Sequence, residues 1–385
     1  MDRVLDGRYE LQRKIGHGIN GVVWRAVDLT DRTTVAVTVL RAVDRPDELP
    51  GRVAAFTAET DLVASLDHPC LVRVLDVRGE GAHRALVTEL VEGTDLGRRS
   101  AGAGPLPPAG AAGLVARLAE VLTYLHRRGV VHGDVRPANL LLPADGGPVR
   151  LVGFGAARRI GTGVDLPAVG PTRGYAAAAR FPAVGPTPEY AAPEYAAPDV
   201  GPTPAGDVYA LGIVLYELVC GRSPYRGGSP EQVRERHRTC RPVPPPGLPA
   251  VVWRFLEDCL AADPADRPDA ARAAARLRGL EPALDGVSAL PPPAADQVGW
   301  WPRRVGAVPA NGYISDETLL TSPIGTGRVE ALEPPGRRAV PPSGGPVGPS
   351  SPVDQFGRAA ACPSIDRPHP TVVHRQCTME TLTSG

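Results

Sequence analysis

The sequence is short of lysine and of net charge. Lys14 is the only lysine among 42 basic residues, and the formal net charge at pH 7 is zero. A balanced charge argues against a dedicated nucleic-acid surface and against a polybasic membrane-binding segment. The reliance on arginine, with 44 glycines and 44 prolines, is a composition bias that carries little information about the fold. A chain of 385 residues can hold one large two-lobed domain or two domains, with a sizeable core.

Paired cysteines and long apolar runs are also missing. The six cysteines are scattered and form no C-x-x-C pair, which predicts reduced thiols and no metal cage. The first nine residues lack the apolar core of a signal peptide. The longest apolar run begins at Ala210, is interrupted by Glu217, and is far too short to cross a bilayer. We therefore expect a cytoplasmic protein without a membrane span.

A glycine-rich stretch near the start has the spacing G-x-G-x-x-G-x-V. Glycine at such positions lets the backbone approach phosphate groups closely. Strand-like β-branched segments lie on both sides of the stretch. A dinucleotide-binding fold would need a helix directly after the last glycine, so the pattern favours two strands joined by a glycine-rich turn. An ordinary hairpin of that kind remains an alternative. The four pattern positions are Gly16, Gly18, Gly21 and Val23.

The most informative stretch runs from residue 130 to 142. It places an Asp two residues after His132 and an Asn five residues after that Asp, followed by a leucine run. Downstream come Gly153-Phe154-Gly155, the A-A-P-E stretch ending at Glu194, and an apolar helical pattern led by Asp207. A D-P-A-D-R-P stretch containing Arg267 follows. In this order and at these spacings, the motifs resemble those of a bacterial Hanks-type serine/threonine protein kinase.

The resemblance implies an α+β, two-lobed protein-kinase fold over residues 9–280. The β-rich N-lobe would cover residues 9–92 and the mainly helical C-lobe residues 93–280. Residues 281–385 are rich in proline and glycine and show no sustained apolar period. Such a segment cannot bury enough surface to offset its conformational entropy, so we expect a disordered C-terminal tail.

The resemblance also implies a set of site residues. Asp134, Arg136 and Asn139 would be catalytic, and Asn139 would in addition hold a metal ion. The cofactors would be ATP and Mg²⁺, and the substrate or partner would be a protein. Thr88 would stand at the gatekeeper position beside the adenine. The positions implied for nucleotide binding are Gly16, Gly18, Gly21, Val23, Ala36, Thr38, Glu89, Val91 and Leu141.

Three positions depart from the family pattern. Thr38 stands where the family has the lysine that pairs with the nucleotide phosphates, and Gly153 where it has the main metal-binding aspartate. Because phosphoryl transfer depends on positioning and charge neutralisation, these changes make ATP binding weak and Mg²⁺ use doubtful. Gly133 replaces the arginine that would contact a phosphorylated activation segment.

Several alternatives remain open at this stage. Lys14, Arg25 and Arg41 are candidate replacements for the missing lysine, although Lys14 precedes the glycine-rich stretch. Asp199 is a weaker alternative to Glu194 as the partner of Arg267. A P-A-V-G-P-T sequence starts at residue 167 and again at residue 182, so part of the activation segment is duplicated.

Three functional hypotheses follow. The first is a pseudokinase, a kinase-shaped module that acts through nucleotide or protein binding in signalling. The second is an active but unconventional kinase that transfers the ATP γ-phosphate to protein hydroxyls. The third is a decaying gene product, which the duplication and the tail favour slightly.

Overall fold

The computed structural model describes residues 4–18, 21–40, 49–160, 187–197, 200–294 and 299–302. Several predictions fall outside these residues. They concern Arg41, Asp199, the first copy of the duplicated segment, and the tail from residue 303 onward.

The first six strands along the chain form an antiparallel sheet in the spatial order β1-β2-β3-β4-β6-β5. Its strands are rich in β-branched residues, which pack well on a pleated surface. The two strands expected on either side of the glycine-rich turn are confirmed as β2 and β3, and β4 follows them. The strands of this sheet are β1 (Val4–Leu5), β2 (Tyr9–His17), β3 (Gly21–Asp28), β4 (Thr34–Leu40), β5 (Val74–Arg78) and β6 (Ala85–Glu89).

The remaining strands are short and form three small sheets with the orders β10-β9-β7, β11-β8 and β12-β13. They fix the loops of the C-lobe. These strands are β7 (Gly93–Asp95), β8 (Val130–Val131), β9 (Leu140–Pro143), β10 (Arg150–Leu151), β11 (Arg158–Arg159), β12 (Cys240–Pro242) and β13 (Trp300–Pro302).

The C-lobe is mainly helical, as predicted. The helix α4 is buried along almost its whole length, because its sequence is apolar on every face. Thr203 caps its N-terminus by accepting a hydrogen bond from Gly206. The helices are α1 (Leu49–Ala64), α2 (Leu96–Ala103), α3 (Pro108–Arg127), α4 (Pro204–Cys220), α5 (Pro230–Thr239), α6 (Ala250–Cys259) and α7 (Ala270–Leu284).

One core cluster, centred on α3 and α4, joins the helical lobe to α1 and to the sheet. A second, smaller core covers the other face of the sheet and includes Tyr9, Val35 and Val37. The α+β, two-lobed kinase fold is therefore confirmed. Among the described residues, no helix combines the length and apolar character that crossing a membrane would require.

The packed structure continues past the predicted domain boundary at residue 280. Helix α7 extends to Leu284, and the side chains of Leu284 and Leu290 are buried. Trp300 is 8% exposed and lies in strand β13, which pairs with β12. Strand β13 is only three residues long, which is too short to show a periodic pattern.

Candidate active site

The loop predicted to be catalytic is fixed by a buried carboxylate. Asp207 Oδ2 accepts a hydrogen bond from the backbone N–H of His132 at 2.9 Å, and Oδ1 accepts one from Gly133 N–H at 2.8 Å. His126 Nε2 lies 2.9 Å from Oδ2. Asp207, the residue that leads the apolar helical pattern, therefore holds the loop in place, and His126 contacts the same carboxylate.

His132 is fully buried and connects the loop to the glycine motif at 153–155. Its Nδ1 lies 3.3 Å from Asp134 N–H and its Nε2 lies 3.0 Å from the carbonyl oxygen of Val152. Burial lowers the pKa of His132. The ring is therefore neutral, with Nδ1 accepting and Nε2 donating. Phe154 packs edge-on against it at 4.9 Å between ring centroids.

Four donors hold the carboxylate of Asp134. Oδ1 accepts from the hydroxyl of Thr187 at 2.9 Å and from its backbone N–H at 3.1 Å. Oδ2 accepts from Arg136 Nε at 3.0 Å and from Asn139 Nδ2 at 3.1 Å. The three residues predicted to be catalytic are thus brought together. Thr187 was missed as a site residue, although it lies in the second copy of the repeated P-A-V-G-P-T.

Gly153 and Asn139 are in direct contact. Gly153 has a left-handed backbone, with φ of +85° and ψ of 48°. A Cβ atom at this position would lie 2.5 Å from both Cγ and Oδ1 of Asn139. Real Cβ atoms essentially never approach other atoms so closely. Asn139 Nδ2 also donates to the carbonyl oxygen of Asp134 at 2.8 Å. The amide therefore packs where an aspartate side chain at 153 would begin.

Gly133 lies in an equally confined place. Its φ is +78°, and an added Cβ would lie 2.6 Å from the carbonyl oxygen of Ala156 and 2.9 Å from Cγ of Pro202. A larger residue would have to displace this backbone. Glycine, in place of the arginine of the family pattern, therefore allows the loop segments around residues 133, 156 and 202 to approach each other closely.

The positions implied for nucleotide binding lie on the sheet and on the segment after it. Thr38 pairs with Val23 on β3 and with Leu86 on β6. A Cβ on Gly21 would lie 2.8 Å from Cγ2 of Thr38, so the last glycine packs on the threonine methyl group. At the other end of the turn, Gly18 N–H donates to the carbonyl oxygen of Gly21 at 2.8 Å.

The implied adenine end is built from β4, β6 and β9. Ala36 pairs with Thr88, and Glu89 ends β6. Val91 follows and is half-buried, as is Leu141 on β9. Gly16 pairs with Val23 across the first hairpin.

Two of the candidate replacement cations are engaged elsewhere. Lys14 pairs with Trp24, and its Nζ lies 5.3 Å from the centre of the indole ring. Trp24 pairs with Val37, the strand neighbour of Thr38. Because side chains alternate across a strand, Lys14 lies on the sheet face opposite Thr38. Arg25 is on the same face as Thr38 but pairs with Ala36 and forms an ion pair with Glu92.

The ion pair expected below the activation segment is present. Arg267 Nη1 and Nη2 each donate to a carboxylate oxygen of Glu194 at 2.8 Å. The Arg267 side chain has no exposed surface and that of Glu194 is 14% exposed. Glu194, the favoured candidate, is confirmed as the partner of Arg267. This bidentate geometry orients the segment 187–197, which contains Thr187.

Comparisons with known proteins agree with this arrangement. The protein kinase domain family matches residues 9–276. The chain belongs to the protein kinase family. Serine/threonine-protein kinase PkaA of Streptomyces coelicolor is 35% identical over 366 residues, covering 89% of this chain and 63% of that relative. Serine/threonine-protein kinase PkaB of the same species is 37% identical over 297 residues, covering 75% of this chain and 67% of the relative.

A third relative is serine/threonine-protein kinase PknA of Mycobacterium tuberculosis, which is 33% identical over 341 residues. The alignment covers 87% of this chain and 71% of the relative. The family match and these relatives confirm the resemblance to bacterial Hanks-type kinases. The chain matches about two thirds of the length of these relatives.

Proposed function

We propose that this protein is a pseudokinase, a kinase-like module with impaired phosphoryl transfer that acts by binding nucleotide weakly and by contacting a protein partner. The observation that carries the proposal is the packing of Asn139 against Gly153. The aspartate side chain is missing at residue 153, and in addition the Asn139 amide occupies the space in which such a side chain would begin.

The phosphate end of the site supports this proposal. Kinases of this family generally use ATP and Mg²⁺, and the metal prefers carboxylate oxygens. With Gly153 in place of the aspartate, the loop residue left to hold a metal is Asn139, whose Nδ2 donates to the Asp134 carboxylate, so its amide offers a metal one oxygen, Oδ1. Among the residues that the structure describes, no group of three or more His, Cys, Asp or Glu side chains is arranged to hold a metal ion. This donor set does not fit a phosphate-bridging Mg²⁺.

The adenine end fits a nucleotide better. Ala36 is buried, while Val23, Val91 and Leu141 are half-buried apolar side chains around the segment after β6. Ligand pockets are mainly apolar with a few oriented polar groups. We therefore infer nucleotide binding that depends little on Mg²⁺, in a cytoplasmic protein whose partner is another protein.

An active kinase is the second candidate, and one observation favours it. The Asp134 carboxylate is held by Arg136, Asn139 and Thr187, so the group expected to accept the substrate proton is well oriented. Positioned proton transfer contributes about 10²- to 10⁴-fold to a rate. The relatives compared above are named serine/threonine-protein kinases.

A nucleotide titration tests the proposal. The melting temperature of the full chain is measured with ATP and ADP, each with and without Mg²⁺, for the wild type and for Thr38→Lys. The proposal predicts a small stabilisation that Mg²⁺ leaves unchanged in the wild type. Thr38→Lys is expected to increase it, because a charge-assisted hydrogen bond contributes about 1.5–3 kcal/mol.

Each other outcome has a clear meaning. A stabilisation that requires Mg²⁺ in the wild type would contradict the proposal and favour the active kinase. A folded chain that binds no nucleotide would restrict the function to protein contacts. A wild-type chain without a cooperative melting transition would favour a decaying gene product.

A further inference from the structure

A short segment beyond the kinase helices is built into the C-lobe. The strap, defined as residues 299–302, contains β13 and pairs antiparallel with β12, with Trp301 opposite Arg241. Val243 N–H donates to the carbonyl oxygen of Gly299 at 2.8 Å. A Cβ on Gly299 would lie 2.8 Å from both Cα and the carbonyl oxygen of Pro224. The strap therefore fits closely at its first residue.

Trp300 anchors the strap in a buried cluster. The cluster contains Tyr209, Tyr225 and Ala192, and Ala192 belongs to the segment 187–197. Arg236 on α5 stacks over the Trp300 ring, with its guanidinium carbon 5.0 Å from the ring centre. Trp301, on the alternate side of the strand, lies 5.5 Å from the guanidinium of Arg241. The two tryptophans therefore make different contacts.

A continuous set of contacts leads from Trp300 toward the activation segment. Arg236 Nη1 donates to the carbonyl oxygen of Tyr225 at 3.2 Å. The Tyr225 ring lies 4.3 Å from the ring of His237, whose Nδ1 is 2.8 Å from the Tyr209 hydroxyl. His237 is 1% exposed and both tyrosines are fully buried. Because these residues are closely packed, none of them can shift far without displacing its neighbour.

The chain of contacts ends at the buried ion pair. The guanidinium carbon of Arg267 lies 4.8 Å from the centre of the Tyr209 ring. The same guanidinium holds both carboxylate oxygens of Glu194. Glu194 belongs to the segment whose Thr187 binds Asp134. The strap is thus connected to the catalytic loop through these packed residues and through the backbone of the segment 187–197.

Helix α5 lies between the two ends of this path. It contacts both β12 and β13 and the two 3₁₀ turns at 188–190 and 193–196. Its buried side chains are Val233 and His237, and it is only ten residues long. An isolated helix of that length is marginal in water, so tertiary contacts fix its position.

We propose that the strap is a conformational clamp that holds α5, and through it the segment 187–197, in the arrangement that places Thr187 against Asp134. Release of Trp300 frees α5 and loosens this segment, while the rest of the C-lobe stays folded. The clamp acts on the segment whether or not the protein transfers phosphate. It links the end of the kinase domain to the surface where a protein would dock.

Hydrogen exchange of the full chain tests the clamp. Trp300→Ala is compared with Trp301→Ala, which removes the same side chain from the neighbouring position. We expect Trp300→Ala to accelerate amide exchange about tenfold or more in residues 187–197 and in α5. Trp301→Ala should leave residues 187–197 unchanged. Amides of α3 serve as the internal control, because general destabilisation would accelerate them as well.

A second variant keeps both tryptophans. Gly299→Val introduces a side chain against Pro224 and should displace the strap, with the same exchange pattern as Trp300→Ala. The proposal is overturned if both variants accelerate exchange only at 240–242 and 299–302. It is also overturned if residues 187–197 respond no more than α3, because the strap would then contribute only to global stability.

Discussion

Asn139 and Gly153 occupy one space that can accommodate only one full side chain. The Asn139 amide lies within 2.7 Å of the point where a Cβ on Gly153 would stand, and Gly153 adopts a φ of +85°. The missing aspartate and the position of the remaining asparagine are therefore one structural feature. This relation underlies the proposed loss of phosphoryl transfer.

Gly153→Asp should destabilise the fold rather than simply restore a ligand. A left-handed φ costs a non-glycine residue about 1–2 kcal/mol, and overpacking adds about 1–3 kcal/mol. Urea unfolding measures the total. Gly146→Asp is the matched control, because Gly146 has a φ of +76° and no atom within 4 Å of an added Cβ. Equal losses in the two variants would contradict the steric conflict with Asn139.

Lys14→Met should leave nucleotide binding unchanged within about twofold, since Lys14 contacts Trp24 on the opposite face of the sheet from Thr38. The check is fluorescence titration with ATP, using Arg32→Met, in the exposed turn between β3 and β4, as a control for the loss of one positive charge. A tenfold weaker affinity in Lys14→Met alone would mean that this lysine reaches the phosphates.

Arg267→Ala should reduce the free energy of unfolding by about 3–5 kcal/mol, because it leaves the Glu194 carboxylate buried without its partner. Arg238→Ala removes an exposed partner of Glu235 and should cost less than about 1 kcal/mol. Denaturant titration of both variants gives the comparison. Similar small losses would show that the buried pair does not fix the segment 187–197.

The buried Glu217 should make stability depend on pH. Burial raises its pKa above the usual 4.5, although a hydrogen bond from the Tyr190 hydroxyl at 2.6 Å acts the other way. A raised pKa means that the folded state binds the proton more tightly than the unfolded state. The stabilisation of the fold that results from this tighter proton binding is complete below about pH 4.5. It is lost as the pH rises through the raised pKa of Glu217.

Glu217→Gln should remove that loss, because the amide oxygen still accepts from Tyr190 and carries no charge. The loss is measured from the free energies of unfolding at several pH values from 4 to 8. The exposed variant Glu235→Gln serves as the control. Parallel pH profiles of the wild type and Glu217→Gln would contradict this role of Glu217.

The resemblance carried by the order of the motifs predicted the fold and most of the loop, because it implies positions for Asp134, Asn139, Asp207 and the Glu194–Arg267 pair. The contact between Asn139 and Gly153 was not predictable, since it depends on the backbone dihedral angles at Gly153. The face occupied by Lys14 depends on register shifts in the β2–β3 pairing. These are properties of the folded backbone that residue spacing does not encode.

The strap escaped prediction for a different reason. Trp300 stands in a proline-rich region whose composition is typical of disorder. Its burial depends on a three-residue pairing with β12, a contact distant in sequence. A short strand stabilised entirely by tertiary packing leaves no periodic pattern, so the packed residues beyond residue 280 were not predicted.

Transfer of labelled phosphate from ATP in the presence of Mg²⁺ tests the central claim most directly. The wild-type chain and Asp134→Ala are incubated with a generic protein substrate and scored for both substrate and self-labelling. We predict that the wild type transfers no more phosphate than Asp134→Ala. Mg²⁺-dependent labelling by the wild type that Asp134→Ala abolishes would contradict the pseudokinase proposal and establish an active kinase.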